Sequence, residues 1–287
     1  MDTTLQRPRR ARTPYLLLLP GGTWLIFFYL VPAITMLSVS LQEGSLERGF
    51  SLTWHWSTYS DVLTRFAPQL VRSFEYGLVV TAICLLVGYP LAYTIAFRSG
   101  RWKNAILFLV ILPFFVSFVI RTLSWKFILA DEGFMLGPLK SIGVLPHDFR
   151  VLATPWAVIG GLAYNFLPFM VLPLYVALEK LDKNLLEAAE DLYSDRFTAF
   201  RKVTLPLSLP GVFAGSLLTF IPAVGDFVNA ALLGGVDTTM IGNVIQHEFL
   251  VENAYPVAAA ISFLLMAVML IGITVYARLL GTEELTG

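Results

Sequence analysis

The sequence predicts an all-α polytopic membrane protein with six membrane-crossing helices. Three observations carry this. Of 287 residues, 56% are hydrophobic and only 14% are charged, with a mean hydropathy of +0.71, a composition typical of multi-span proteins. The apolar residues gather in runs of roughly 20 or more, enough for a helix to cross a hydrocarbon core of about 30 Å. Within the runs, polar and apolar residues do not alternate as lipid-facing barrel strands require.

The runs fall at 15–41, 71–97, 104–129, 154–178, 207–233 and 255–280, between a basic tail (1–14) and a short tail (281–287). The first follows Arg7, Arg9, Arg10 and Arg12, a pattern that signal peptides share. It is too long for a signal-peptide core of about 7–15 residues and no small-x-small site closes it, so an uncleaved span is expected. The second holds the lone cysteine, Cys84, which has no intrachain disulfide partner and is expected to pack. The third contains Arg121 and Lys126. Lys126 is near enough to the outer end to snorkel into a charge cluster with Asp131 and Glu132, whereas Arg121 is deeper and is expected to pair with a carboxylate or with helix-end carbonyls. In the fifth, Pro222 and Gly225 precede Asp226, which predicts an interrupted helix with backbone groups opened toward a cavity.

Lys and Arg are retained on the cytoplasmic side, and they concentrate in the N-terminal tail, at Arg98, Arg101 and Lys103, and at Lys180, Lys183, Arg196, Arg201 and Lys202. Both termini and the fourth connection are therefore expected inside. That connection, 181–206, is polar and helix-forming. Leu181, Leu185, Ala188 and Leu192 recur at helical spacing and leave Glu187, Glu190 and Asp191 off the stripe. Asn184 and Glu187 have capping-box spacing. Ser194 or Asp195 is placed to cap a second helix carrying Phe197, Phe200 and Val203, and Pro206 and Pro210 mark entry into the fifth span. Periodicity alone leaves two readings open, a docking element or an interfacial loop whose basic residues face anionic lipid.

The connections are too short to enclose a catalytic core. His55, His147 and His247 lie apart, without Cys or Glu at metal-ligand spacing, and no Gly-x-x-x-x-Gly-Lys phosphate loop occurs. No metal, bound cofactor or enzymatic activity is expected of this chain, nor a nucleic-acid partner.

The order Glu187-Ala188-Ala189, a turn, an aromatic at Phe200, Leu205-Pro206 and Pro210-Gly211 resembles the EAA loop of inner-membrane permease subunits of binding-protein-dependent ABC importers. Tyr193 departs from the pattern, which usually has Gly there, and puts the turn geometry in question. The resemblance extends through Tyr89-Pro90-Leu91-Ala92-Tyr93, Arg121-Thr122 with Trp125, Gly225-Asp226-Phe227-Val228, Leu232-Leu233-Gly234-Gly235 and Met240-Ile241-Gly242-Asn243, which are similar to permeases of the spermidine/putrescine subfamily. That subfamily often has Glu where this chain has Asp226.

The resemblance implies a bacterial inner-membrane subunit with the ABC importer permease fold. It implies two partner ATPase subunits that bind ATP and Mg, a second homologous permease subunit, an external substrate-binding protein and surrounding lipid. Leu185, Glu187, Ala188, Ala189, Asp191, Leu192, Tyr193, Phe200 and Pro206 are the implied ATPase-coupling residues. The implied cargo is a polyamine. The same machine for a phosphonate, an iron complex or thiamine is an alternative that Arg121 favours, and a secondary transporter or channel is another, against which no inverted repeat of interrupted helices is seen.

An ionisable group inside a span costs about 2.5–3.5 kcal/mol on insertion scales, so it faces a cavity or a partner. Asp226 is accordingly a candidate for an ammonium group, with a helix cap or an Arg121 ion pair as the structural alternative. Glu75 and Arg121 fit either the substrate path or a structural role. Trp125, Tyr164 and Phe227 can offer cation–π faces. Glu248 and Glu252, beyond the fifth span, fit a contact with the external binding protein or a solvated face.

Overall fold

The structure is a computed structural model that describes residues 13–193 and 195–279. Arg7, Arg9, Arg10, Arg12, Ser194 and the tail 281–287 lie outside the described residues, as do the side chains of Ala189 and Tyr193. The chain begins with α1 (Thr13–Leu25), a π-helical turn (Ile26–Leu30) and α2 (Val31–Ser40). An antiparallel hairpin of β1 (Gln42–Ser45) and β2 (Gly49–Leu52) follows, with Gln42 opposite Leu52. This small sheet adds to the all-helical expectation. Its turn needs glycine, because Gly44 and Gly49 have φ of 147° and 78°, and a Cβ on Gly44 would lie 2.0 Å from the Gly49 carbonyl oxygen.

Helix α3 (Ser57–Phe97) runs for 41 residues, about 60 Å at 1.5 Å per residue. The expected span 71–97 is thus the inner part of a longer helix. Hydropathy missed the outer part because only one face of it is apolar: Val62 and Phe66 are buried against Ile241, Val244, Ala260 and Ile261 in a separate outer cluster.

The third apolar run is not one straight helix. After α4 (Lys103–Ile111) and a 3₁₀ turn (Leu112–Phe115), α5 (Phe118–Ile128) leaves at 94°. Val116 and Ser117 between them are extended, with ψ of 139° and 135°. Pro113, which cannot donate a backbone hydrogen bond, lies in the turn that ends the first arm. The short α6 (Leu136–Ser141) and then α7 (Pro155–Glu179) follow, the latter capped by Thr154 Oγ1, which accepts from Ala157 N at 3.3 Å.

The connection after α7 forms α8 (Lys183–Tyr193) and α9 (Arg196–Ala199), and α9 continues through a π-helical turn (Phe200–Thr204) into α10 (Leu205–Val224). The fifth run is therefore displaced from 207–233: its helix enters from the loop without a break and stops at Val224. After Gly225, Asp226 and Phe227 come α11 (Val228–Leu233), α12 (Ile241–Leu250) and α13 (Tyr255–Leu279). Among the described residues, five helices are long and apolar enough to cross a membrane, or six spans if the bent pair counts as one.

Helices α3, α7 and α10 make the core, where Val80, Cys84, Leu162, Met170, Leu174 and Ala223 are fully buried. Small residues let α10 lie close to α7. A Cβ on Gly211 would be 2.5 Å from Ala177 Cβ, and one on Gly215 would be 2.8 Å from Met170 Sδ. This packing places the loop 181–206 at one end of the core and the 225–229 break near the other.

Candidate functional site

The loop element is built from two capped helices. Asp182 Oδ1 accepts the backbone N–H of Asn184 at 2.9 Å, so the α8 entry is held by Asp182 rather than by the Asn184–Glu187 box. An ionised carboxylate ahead of the helix is the stronger acceptor for its free N–H groups. Tyr193 is the last residue of α8. Asp195 caps α9, accepting from Phe197 N at 3.2 Å, Thr198 N at 3.0 Å and Thr198 Oγ1 at 2.8 Å. These bonds hold the Asp195 carboxyl below the usual carboxylate range, led by the Thr198 hydroxyl.

The stripe of α8 points away from this chain: Leu185 is 53% and Leu192 74% exposed. Glu187, Ala188 and Asp191 are exposed with it. Phe200 turns the other way. Its ring meets Tyr89 at 5.6 Å and Tyr93 at 6.1 Å, and the buried Tyr89 hydroxyl is 2.7 Å from Ser208 Oγ on α10. The Tyr89–Tyr93 segment and the loop thus form one packed joint. Lys103 pairs with Glu179 beside it. Pro206 is the second residue of α10, directly after the π-helical turn Phe200–Thr204, where it withholds one backbone donor from the continuous helix.

A buried polar layer lies where α5, α7 and α11 meet. Asn165 Nδ2 donates to Thr122 Oγ1 at 3.2 Å and to Asn229 Oδ1 at 3.1 Å. Asn229 in turn donates to Asp226 Oδ1 from its backbone N at 2.7 Å and from Nδ2 at 3.2 Å. Asn165 and Asn229 are 1% and 0% exposed. Asp226, 7% exposed, is the cap of α11: its carboxylate serves the free N–H groups at the restart of a broken helix.

Arg121 departs from the expectation that it pairs with a carboxylate or with helix-end carbonyls. Among the described residues no acid lies within ion-pair distance, and its Nε and Nη1 are buried without an acceptor. The guanidinium sits instead 5.8 Å and 5.7 Å from the Phe114 and Phe118 ring centroids. The reason is that the bend carries Arg121 onto the Phe114 side, while Asp226 turns inward to cap α11. Trp125 and Tyr164 do come together, edge to face at 5.3 Å. Phe227 is 41% exposed and borders an open groove of about 270 Å³ with Gly225, Gly242, Gln246 and Phe249. Glu75 is exposed on α3.

Two outer charges also differ from expectation. Glu248 is 5% exposed and faces Arg65 at 3.8 Å, because it shares the inward face of α12 with Ile241 and Val244. That removes it as an exposed contact, whereas Glu252 remains open, 3.9 Å from His247. Asp131 joins Lys140 at 3.2 Å and Arg150 at 3.3 Å, not Lys126, which is exposed. Sequence reasoning also passed over Asn165, Asn229 and Ser73. Asn165 was detectable as an amide inside an apolar run. Ser73 was not, since its Oγ accepts from Ile241 N at 2.7 Å, 168 residues away.

The family described as "Binding-protein-dependent transport system inner membrane component" matches residues 84–280. The chain is 42% identical over 259 residues to the spermidine/putrescine transport system permease protein PotB of Haemophilus influenzae, covering 89% of this chain and 90% of that one. It is 37% identical to the PotB of Escherichia coli K12, covering 89% and 93%. The fold is similar to that of a chain in the crystal structure of a bacterial alginate ABC transporter in complex with an alginate pentasaccharide-bound periplasmic protein, with a TM-score of 0.70 at 21% identity and coverage of 95% and 94%.

Proposed function

The chain belongs to the family of binding-protein-dependent transport system inner membrane components, and from that premise we propose that it is the membrane permease subunit of an ATP-driven polyamine importer. The observation that carries the cargo is the 42% identity with a spermidine/putrescine permease along 89% of the chain. Six spans, with the bent α4–α5 pair counted as one, both termini inside and the 181–206 loop on the cytoplasmic face complete the reading. A second permease subunit encloses the path with this one, two ATPase subunits lie beneath the loops, and an external receptor delivers the solute.

The loop geometry supports a mechanical route. The outward stripe of α8, with Leu185, Ala188 and Leu192, suits a groove on the ATPase, and Glu187 and Asp191 offer partners for basic groups there. Motion of α8 passes to α10 through one continuous helix from α9 and to α3 through Phe200 against Tyr89 and Tyr93. ATP shifts access because it binds the closed ATPase state more tightly. In the membrane, Asp226, Phe227, Trp125, Tyr164 and Glu75 are the proposed path residues, the aromatics offering faces to an alkylammonium. Glu252 remains the proposed receptor contact.

The test is uptake by the full complex in vesicles, using labelled spermidine, putrescine and a phosphonate. Accumulation of the polyamines and not the phosphonate is expected; phosphonate uptake without polyamine uptake would overturn the cargo.

A further inference from the structure

The turn 240–243, where α12 begins, stands directly against the broken span. A Cβ on Gly242 would lie 2.6 Å from Gly225 O and 2.9 Å from Asp226 O, so glycine alone lets α12 approach that backbone. The side-chain amide of Asn243 does two jobs there. Its Oδ1 accepts Met240 N at 3.1 Å and closes the first turn of α12. Its Nδ2 donates to Phe227 O at 2.8 Å, sixteen residues away. A cap needs only the first bond; the second ties α12 to the break.

The far side of the same turn is fixed to α3. Ser73 Oγ, fully buried, accepts Ile241 N at 2.7 Å, and Arg72 Nη1 donates to Thr239 O at 2.9 Å. Met240 is buried in the main core and Ile241 in the outer cluster. The break has less to hold it, since only Gly225, Asp226 and Phe227 join α10 to α11. Phe227 O already accepts Ala231 N at 3.0 Å within that restart. A carbonyl has two lone pairs, so the Asn243 bond fixes its peptide plane from a second direction. The Phe227 ring, 41% exposed, is attached to that plane and borders the open groove that Gly242 and Gln246 also line.

We propose that Asn243 is a positioning residue of the substrate path: through Nδ2 it holds the Phe227 carbonyl, and so the orientation in which the Phe227 ring is presented to a passing alkylammonium. Gly242 allows the close approach, and Ser73 and Arg72 make α3 the fixed side of the contact. This rests on the importer reading above, in which Phe227 lies on the path.

The experiment uses the assembled complex in vesicles with its receptor and reads spermidine taken up per ATP hydrolysed. Asn243→Asp keeps the Oδ1 acceptor for Met240 N but sets an oxygen against Phe227 O. It should lower that ratio about fivefold, the order of one lost hydrogen bond, with receptor-stimulated ATP hydrolysis and melting temperature unchanged. Phe227→Ala should lower the ratio as well, and Asn243→Asp should add nothing to it, because the effect passes through Phe227. A wild-type ratio for Asn243→Asp, a further loss in the double variant, or uptake and ATP hydrolysis falling together would overturn the positioning role while leaving the importer intact. If Phe227→Ala keeps the wild-type ratio, Phe227 is off the path and the role falls with it. If Asn243→Asp does not assemble, Gly242→Ala, which pushes α12 off the break, must show the lowered ratio; failure of both to assemble would make the turn a folding contact and overturn the proposal. A wild-type complex that moves no spermidine with ATP would overturn the importer reading itself.

Discussion

Asp226 has two separable properties, its charge and its cap, and Asn is about as good a cap as Asp. Asp226→Asn should keep the restart of α11, leaving thermal stability within about 1 kcal/mol, while lowering polyamine uptake and leaving ATPase association unchanged. Unchanged uptake in a flux assay would reduce Asp226 to a structural cap. Asp195 gives a pH signature instead. Its carboxyl is held below the usual range by Thr198 and Phe197, so its folded pKa is the lower one. The stabilisation of α9 is then complete above the ordinary carboxylate range and is lost as pH falls through the depressed folded value. Carboxyl-carbon NMR should show Asp195 titrating below a free aspartate; titration at or above the free value would contradict the cap.

At the scale of elements, the joint between loop and core is the part most open to test. Phe200→Ala removes the ring between Tyr89 and Tyr93, and the complex should assemble yet lose most of its receptor-stimulated ATP hydrolysis. Normal stimulation would mean that motion bypasses this contact. Gly215→Leu would drive a side chain into Met170, already 2.8 Å from where a Cβ would stand. Overpacking should destabilise the α7–α10 pair by about 1–3 kcal/mol, read as a lowered melting temperature in detergent. Apolar runs and loop punctuation made most elements legible in the sequence, including the break foreseen from Pro222 and Gly225. The outer extension of α3 was not, because the hydropathy of Ser57–Leu70 averages a buried and a solvated face. The right-angle turn at Val116–Ser117 was hidden for a different reason: residues 112–119 carry no charge, and only the backbone angles divide the two arms. The inward turn of Glu248 was not legible because its Arg65 partner lies far off in sequence on α3, and charge alone does not tell an outward from an inward face.

The whole molecule reads as a transmission between two ends. One end is a helix whose apolar Leu185 and Leu192 are exposed among the described residues; the other is a broken helix closed by buried amides and an acid. A packed triad of α3, α7 and α10 joins them, close at Gly211 and Gly215; close-packed interiors transmit strain, so the proposed coupling predicts that movement at one end displaces the other. A channel or gradient-driven carrier has no use for the first end. The most direct measurement is spermidine uptake into vesicles holding the chain with its second permease subunit and receptor, with and without the ATPase subunits and ATP. The account predicts accumulation only when both ATPase and ATP are present, and its abolition by Glu187→Arg; uptake by the membrane subunits without the ATPase would contradict it.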